Sequence, residues 1–207
     1  MNNEKPEHGT VPNSTNAETA ELHVALVHYP VYKKTRETIT TSLTPIDLHD
    51  ISRTCLTYGV KSYCVVNPLP TMQYLARRVT EFWHGGFGKD YNPTRWDAFR
   101  IVRVYGTLDE VREDLEKQSG NPPVTVATTA RPWKQVTSYD SLRKRLRSPG
   151  PPVLLILGTG WGLTDEFIES CDAVLPPIAG PGTYNHLSVR AAAAIILDRL
   201  VVGRMEN

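Results

Sequence analysis

The sequence contains no long apolar run and very little cysteine. Only three of its 207 residues are cysteine, Cys55, Cys64 and Cys171, and no two of them form a CxxC pair. We therefore expect reduced thiols that pack as small core side chains, and no bound metal. No stretch approaches the roughly 20 apolar residues that a membrane-spanning helix requires. The first residues also carry no hydrophobic signal region, so we expect a cytoplasmic protein without a membrane partner.

Net charge is also almost absent, because 23 basic residues face 22 acidic ones and leave a formal charge of +1. No global field attracts nucleic acid, so any RNA contact must come from local basic patches. One patch interleaves basic and aromatic side chains: Arg77, Arg78, Lys89, Arg95, Arg100 and Arg103 with Trp83, Tyr91 and Trp96. Residues 143–147, RKRLR, form another. Both patterns also fit solvated helix faces, so the two interpretations stay open at this point.

The length fits one α/β domain with a sizeable core. Residues 1–20 are polar and nearly free of large apolar side chains. Such a segment buries too little surface to offset its ordering entropy, so it is predicted to be a flexible tail. Residues 21–207 are expected to form a single domain without internal repeats.

Short apolar runs bounded by turn residues predict buried strands that alternate with helices. The predicted strands cover residues 22–28, 63–66, 99–104, 124–127, 153–157 and 173–175. The predicted helices cover residues 46–58, 71–87, 107–118, 138–146, 164–170 and 185 to about 202. In a parallel sheet of this kind, ligands bind at the carboxyl ends of the strands.

The last quarter of the chain is the most informative segment. The strand at 153–157 continues into GTGWG, residues 158–162, whose glycines allow backbone to pass close to a ligand. The strand at 173–175 ends in a loop rich in Gly and Pro, and NHLS, residues 185–188, opens an alanine-rich helix. A dinucleotide-binding fingerprint is excluded, because Leu163 stands where the third Gly of GxGxxG is required.

These loops resemble the end of SPOUT-class RNA methyltransferases. LILGTGWGL, residues 155–163, is similar to the second motif of that family, and residues 175–197, with YNHLSVR as the most specific part, are similar to the third. More narrowly, residues 22–200 resemble small bacterial SPOUT proteins related to a domain fused to tRNA (guanine-N1)-methyltransferase. The resemblance implies an α/β fold with a parallel-type sheet, a C-terminal deep trefoil knot and a homodimer formed through the knot face.

The resemblance further implies methyl transfer from S-adenosylmethionine to tRNA or rRNA, at a ribose 2′-oxygen or a base nitrogen, with S-adenosylhomocysteine as product. Such a transfer requires alignment of donor and acceptor and removal of the acceptor's proton. Three loops would hold the donor: Thr128, Thr129, Ala130, Leu157, Gly158, Thr159, Gly160, Gly162, Leu163, Ile178, Gly180, Gly182, Tyr184, Asn185, His186 and Leu187.

Three residues are catalytic candidates by the same resemblance: Arg53, Asn185 and Ser188. Arg53 matches an Arg of the first motif, and because a guanidinium keeps its proton we expect it to clamp an RNA phosphate. Asn185 and Ser188 match polar residues of the reaction centre, although either could also cap the last helix. Two family residues are missing, an Asn where Asp47 and Asp50 stand and a Glu in the glycine loop.

RNA contacts are assigned to Arg36, Arg131, Arg143 and Arg145. The two missing family residues leave open a protein of a different class, a non-catalytic RNA-binding or assembly protein with the same fold. They also leave open a methyltransferase that acts on a base nitrogen, with Asp47, Asp50 or His186 as the proton acceptor.

Overall fold

A computed structural model describes residues 19–202, so the predicted tail lies almost wholly outside the described residues. The strands are β1 Leu22–Val27, β2 Val31–Tyr32, β3 Thr38–Ile39, β4 Ser62–Val66, β5 Val102–Tyr105, β6 Val124–Ala127, β7 Val153–Gly158 and β8 Ala173–Val174. The helices are α1 Pro45–Thr57, α2 Pro70–His84, α3 Gly86–Tyr91, α4 Pro93–Phe99, α5 Leu108–Ser119, α6 Tyr139–Leu146, α7 Asp165–Glu169 and α8 Val189–Leu197. A π-helical turn, Asp198–Val202, continues α8.

Six of the strands form one parallel sheet in the order β5-β4-β1-β7-β6-β8. Every residue of the central strand β1 is buried, and helices cover both faces of the sheet with a separate apolar cluster on each side. Parallel strands that are buried on both faces appear in a sequence as nearly continuous apolar runs. The predicted α/β class with a parallel sheet is therefore confirmed.

Several helices begin at a hydroxyl side chain that accepts a backbone N–H of the first turn. The capping residues are Thr44, Thr107, Ser138, Thr164 and Ser188. Each of these caps satisfies a backbone donor that the helix itself leaves unpaired. Because Thr44 and Ser188 begin α1 and α8, both caps lie beside the cavity described below.

The structure adds β2, β3 and α3 to the predicted elements, and it differs from them most at α4 and at the start of α8. The sequence predicts a strand from Phe99, yet this residue ends helix α4, which Asn92 caps by accepting the N–H of Arg95. Phe99 is fully buried and its ring stacks against Trp83, so tertiary packing outweighs its strand preference. The last helix begins at Val189 rather than at residue 185, because Ser188 is its cap. Within residues 19–202, no helix has the length and apolar character needed to cross a bilayer.

Candidate active site

A cavity of 380 Å³ opens where β6, β7 and β8 end and where α1 and α8 begin. This volume lies in the range of small-molecule sites, which are about 300–1,000 Å³. Eleven residues that the sequence assigns to the site line it: Thr128, Thr129, Ala130, Leu157, Gly158, Thr159, Gly160, Gly162, Ile178, Leu187 and Ser188. The three predicted loops are therefore brought together at one place.

Other predicted site residues lie outside the lining. Leu163 is buried in the hydrophobic core and does not face the cavity. Tyr184 is 78% exposed. Asn185 donates its side-chain amide to the Ala130 carbonyl at 2.9 Å and so ties two loops of the cavity wall together. Gly180, Gly182 and His186 do not line the cavity, and Arg53 is exposed on α1.

Nine lining residues are not among the predicted site residues: Thr41, Ser42, Thr44, Asp47, Pro176, Val189, Arg190, Ala192 and Ile196. Thr41 and Ser42 come from the segment between β3 and α1, where no sequence motif marks them. The sequence offers Asp47 only as one of several possible proton acceptors. Arg190 ends the YNHLSVR run, so its position inside the most specific motif was a signal that could have found it.

Asp47 and Arg190 are the charged residues among the described lining residues, and they form an ion pair. Arg190 Nη1 donates to Asp47 Oδ1 at 2.7 Å, and Thr44 Oγ1 donates to Asp47 Oδ2 at 2.6 Å. The side chain of Asp47 is 8% exposed and that of Arg190 is 34% exposed. The pair joins the first turn of α1 to the first turn of α8, and it places one fixed carboxylate at the cavity.

Two glycines of the 158–162 turn allow close contact with other parts of the protein, Gly160 with the Tyr32 backbone and Gly158 with Leu163. A Cβ on Gly160 would lie 2.9 Å from the Tyr32 carbonyl oxygen, and the φ of Gly160 is +59°. That same carbonyl accepts the N–H of Trp161 at 2.9 Å. A Cβ on Gly158 would lie 2.7 Å from the Leu163 side chain. The prediction that these glycines leave room for a ligand is therefore incomplete, because close backbone packing already requires two of them.

We expect Gly160→Ala to destabilise the protein by about 2 kcal/mol or more, because a left-handed backbone is strained for alanine and the new methyl overlaps Tyr32. Gly180→Ala is the matched control, since a methyl group added there would meet no atom within 4 Å and the φ of Gly180 is not in the left-handed region. Urea unfolding of both variants measures the difference. Equal unfolding midpoints would show that the turn relaxes at no cost.

Two of the arginines assigned to RNA meet at one carboxylate beside the cavity loops. Arg36 Nη2 lies 2.7 Å from Asp165 Oδ2, and Arg131 contacts the other oxygen of the same carboxylate. Both guanidinium groups also lie over the ring of Tyr32. Burial favours the protonated form of Asp165, but the hydrogen bonds from Arg131 and Arg36 outweigh it and lower the pKa of the carboxyl. The cluster therefore keeps one positive charge in excess.

The other two assigned arginines differ from each other. Arg143 is largely buried, with one nitrogen bound to Asp140 at 2.6 Å and another to the Arg199 carbonyl at 2.8 Å. Its charge is held by the protein, so it is a poor candidate for a phosphate contact. Arg145 is exposed on the same helix.

Comparison with protein families finds one model, described as SAM-dependent RNA methyltransferase, that matches residues 21–202. An uncharacterized protein of Aquifex aeolicus is 41% identical over 179 residues, which are 86% of this chain and 87% of the relative. A tRNA (guanine-N(1)-)-methyltransferase of Oleidesulfovibrio alaskensis is 42% identical over 180 residues. That match covers 87% of this chain and 42% of the relative, so the chain spans less than half the length of that protein.

Solved structures share the fold at low sequence identity. A putative methylase family protein from Neisseria gonorrhoeae superposes with a TM-score of 0.61 at 16% identity, covering 96% of this chain and 88% of that one. The SpoU methyltransferase AviRb from Streptomyces viridochromogenes, solved with AdoMet, superposes with a TM-score of 0.55 at 19% identity, covering 91% of this chain and 60% of that one. At these identities the likeness shows a common fold.

Proposed function

The chain belongs to the family of S-adenosylmethionine-dependent RNA methyltransferases, and we propose that it methylates a base nitrogen of tRNA in the cytoplasm. Support for tRNA comes from the relatives in Oleidesulfovibrio alaskensis and Nitratidesulfovibrio vulgaris, both named tRNA (guanine-N(1)-)-methyltransferase. This chain covers 42% and 44% of those proteins, so the named activity can belong to their other part. Two domains joined in one chain commonly act on the same substrate, which favours tRNA here.

The cavity lining fits the methyl donor. Leu157, Ile178 and Ile196 provide apolar surface for a purine, and the 128–130 and 158–162 turns provide backbone groups for hydrogen bonds. S-adenosylmethionine supplies a methyl group on a positively charged sulfur. The described lining carries one charge of each sign, Asp47 and Arg190, which suits a donor whose methionine end carries a carboxylate as well as positively charged groups.

The observation that carries the proposed reaction is the position of Asp47 at the cavity. Methyl transfer to a ring N–H of a base or to a ribose hydroxyl releases a proton, and a carboxylate held by Thr44 and Arg190 can receive it. A ring N–H of a base is more acidic than a ribose hydroxyl, so a carboxylate removes its proton more readily. Asp47 therefore favours a base nitrogen as the methyl acceptor, with Arg190 as the residue that positions it.

The remaining catalytic candidates take different parts in this proposal. Ser188 lines the cavity, although its hydroxyl also caps α8 by accepting the N–H of Ala191 at 3.3 Å. Asn185 acts through the loop that it ties to Ala130. Arg53 does not line the cavity of the protomer to which it belongs. A catalytic role for Arg53 therefore requires contact with bound RNA or with the cavity of a second subunit.

A homodimer and a C-terminal trefoil knot belong to the same proposal. Ile46 and Leu56 on α1 and Val202 after α8 are exposed by 57, 39 and 53%. Ile46, Arg53 and Leu56 follow one another at intervals of seven and three residues, so they share one face of α1. Packing two such faces together would cover the apolar side chains and bring Arg53 to the partner. The knot would involve the loops at 159–164 and 175–188, and its support is that both loops form walls of one cavity.

The experiment incubates the purified protein with S-adenosylmethionine and unmodified tRNA transcripts, followed by mass spectrometry of the released nucleosides. We expect one methylated base in tRNA, micromolar binding of the donor by calorimetry, and a mass by light scattering of twice 23.1 kDa. A ribose-methylated nucleoside would overturn the assignment of the base nitrogen. If the donor binds but neither these transcripts nor unmodified rRNA, tested in a parallel incubation, is methylated, the non-catalytic RNA-binding alternative is favoured.

A further inference from the structure

A second surface, distinct from the cavity, exposes three large aromatic rings. Phe82 near the end of α2 is 53% exposed, and Phe87 and Tyr91 on α3 are 65 and 70% exposed. None of the three lines the cavity. Aromatic rings contribute strongly when buried, so a group of them left in solvent marks a contact surface.

The three exposed rings lie against one another, so Phe87 and Tyr91 cover one face of each other and only the remaining ring surface is open to a ligand. Phe87 and Tyr91 lie one helical turn apart, with their ring planes 10° from parallel and their centroids 5.6 Å apart. The Phe82 ring lies 5.9 Å from that of Phe87. Nucleobases stack on exposed faces of this kind, and because every base has such a face the contact tolerates any sequence.

Positive charge is concentrated in the segment that carries the rings. Residues 70–105 contain six basic and three acidic residues, whereas the whole chain carries a net charge of +1, so the rest of the chain is slightly negative. Lys89 and Arg100 both lie 5.0 Å from the ring of Trp96. The acidic residues of the segment are Glu81, which pairs with Arg78, Asp90, which lies between Lys89 and Tyr91 in the sequence, and Asp97, which pairs with Arg100. The contact between Asp97 and Arg100 is 3.6 Å long and leaves the Arg100 side chain 61% exposed, so unlike Arg143 it can still contact a phosphate.

We propose that this aromatic–basic platform, formed by Phe82, Phe87, Lys89, Tyr91 and Arg100, binds a single-stranded segment of the RNA substrate. Bases stack on Phe87 and Tyr91 while Lys89 and Arg100 attract the phosphates. The inference rests on the proposed function, which supplies RNA as the ligand. It also explains how a chain without a global positive field holds a polyanion, since the local charge excess and the stacking faces coincide.

The platform is connected to the reaction cavity through two packed helices. α4, which follows the platform, packs against α1, and α1 carries Asp47 at the cavity. A second copy of the chain is a less suitable occupant, because a symmetric contact would bring two surfaces with the same positive excess together. RNA bound at the platform therefore extends the substrate contacts beyond the nucleoside that reacts.

The test replaces both stacked rings, Phe87→Ala together with Tyr91→Ala, and measures RNA affinity by fluorescence anisotropy. The probes are a labelled tRNA transcript and a labelled single-stranded RNA of about 15 nucleotides, long enough to span one such site. We expect the dissociation constant for both probes to rise about 10- to 100-fold, as the loss of one or two stacked bases predicts.

Lys89→Gln should lower the slope of log affinity against log salt by about one. Tyr74→Ala, at an equally exposed ring on α2 outside the stack, should leave the affinity unchanged.

A further variant, Phe87→Leu with Tyr91→Leu, keeps apolar side chains but removes the flat faces. Wild-type RNA affinity in the alanine or the leucine variant would overturn the proposal, and so would a change in oligomeric mass without a change in RNA affinity. Donor affinity and kcat at saturating RNA should be unchanged in both variants, with the loss confined to KM. If the wild-type protein binds RNA but methylates no tRNA, the proposed function fails. The RNA affinities of the platform variants then still show whether the platform binds RNA.

Discussion

Replacing Asp47 by Asn is expected to lower kcat for RNA methylation by about 100-fold or more, which is the contribution usual for a general base. Asn has nearly the same shape: its Oδ1 can accept from Arg190, and its Nδ2 can donate to the Thr44 hydroxyl in place of the bond that Thr44 donates to the carboxylate. It cannot take up the proton that the methyl acceptor releases. The dissociation constant of S-adenosylmethionine should rise much less than kcat falls, because the amide keeps the shape of the cavity wall although the charge of the carboxylate is lost. Single-turnover kinetics and calorimetry separate the two quantities.

Asp50→Asn is the matched control for that experiment. Asp50 lies on the same helix and its carboxylate is 3.5 Å from Arg190 Nε, but it does not line the cavity. Its loss should reduce turnover only a few-fold, the size expected when a half-exposed ion pair is removed. Turnover by Asp47→Asn close to that of the wild type would remove Asp47 as proton acceptor. Equal losses in the two variants would show that both act through the position of Arg190.

The cavity loops that are proposed to hold the donor could be predicted because each is a contiguous run of the sequence. The GTGWG turn and the segment from 175 to 188 are contiguous runs, and each follows a strand that its apolar residues identify. Parallel strands place their carboxyl ends at one edge of the sheet, so the loops after β6, β7 and β8 had to meet there. The capping residues Thr107 and Ser138 were equally visible, since a hydroxyl before an amphipathic run is a local signal.

The proposed reaction centre could not be predicted in the same way, because it depends on pairs of residues that are distant in the sequence. Asp47 and Arg190 are 143 residues apart, and their contact requires α1 and α8 to begin at the same edge of the sheet. Arg36 is assigned to RNA from its charge alone, yet its partner Asp165 lies 129 residues further along the chain. Charge is visible in a sequence, whereas the partner that neutralises it is set by the fold.

The aromatic platform also could not be predicted from the sequence alone, because the exposure of a ring depends on the fold. Its basic and aromatic residues can be identified in the sequence, but the residue type does not show whether an aromatic ring is buried or exposed. Trp83 is 6% exposed and packs in the core, while Phe82, its neighbour in sequence, is 53% exposed. Only the packing of α2 against α4 separates the ring that stabilises the fold from the ring that can contact a ligand.

Filling the cavity from α8 is expected to abolish donor binding. Ala192 lines the cavity beside Ile196, and a phenylalanine at that position would occupy part of its 380 Å³. Overlap between a rigid ring and a bound ligand costs more than about 3 kcal/mol, so the dissociation constant of S-adenosylmethionine should rise more than about 100-fold. Methyl transfer should disappear with it. Calorimetry with S-adenosylmethionine and S-adenosylhomocysteine measures the first effect directly.

Ala194→Phe provides the control, because Ala194 lies on the same helix, is also partly exposed and does not line the cavity. It adds the same ring to α8 and should leave donor affinity near that of the wild type. Gly160 is a weaker probe of the same pocket, since any side chain there collides first with the Tyr32 carbonyl and destabilises the turn. If Ala192→Phe bound the donor normally while remaining folded, the donor would have to bind outside this cavity. Asp47 would then lose its place beside the reacting methyl group, because the proposed role of its carboxylate depends on donor and acceptor meeting in that space.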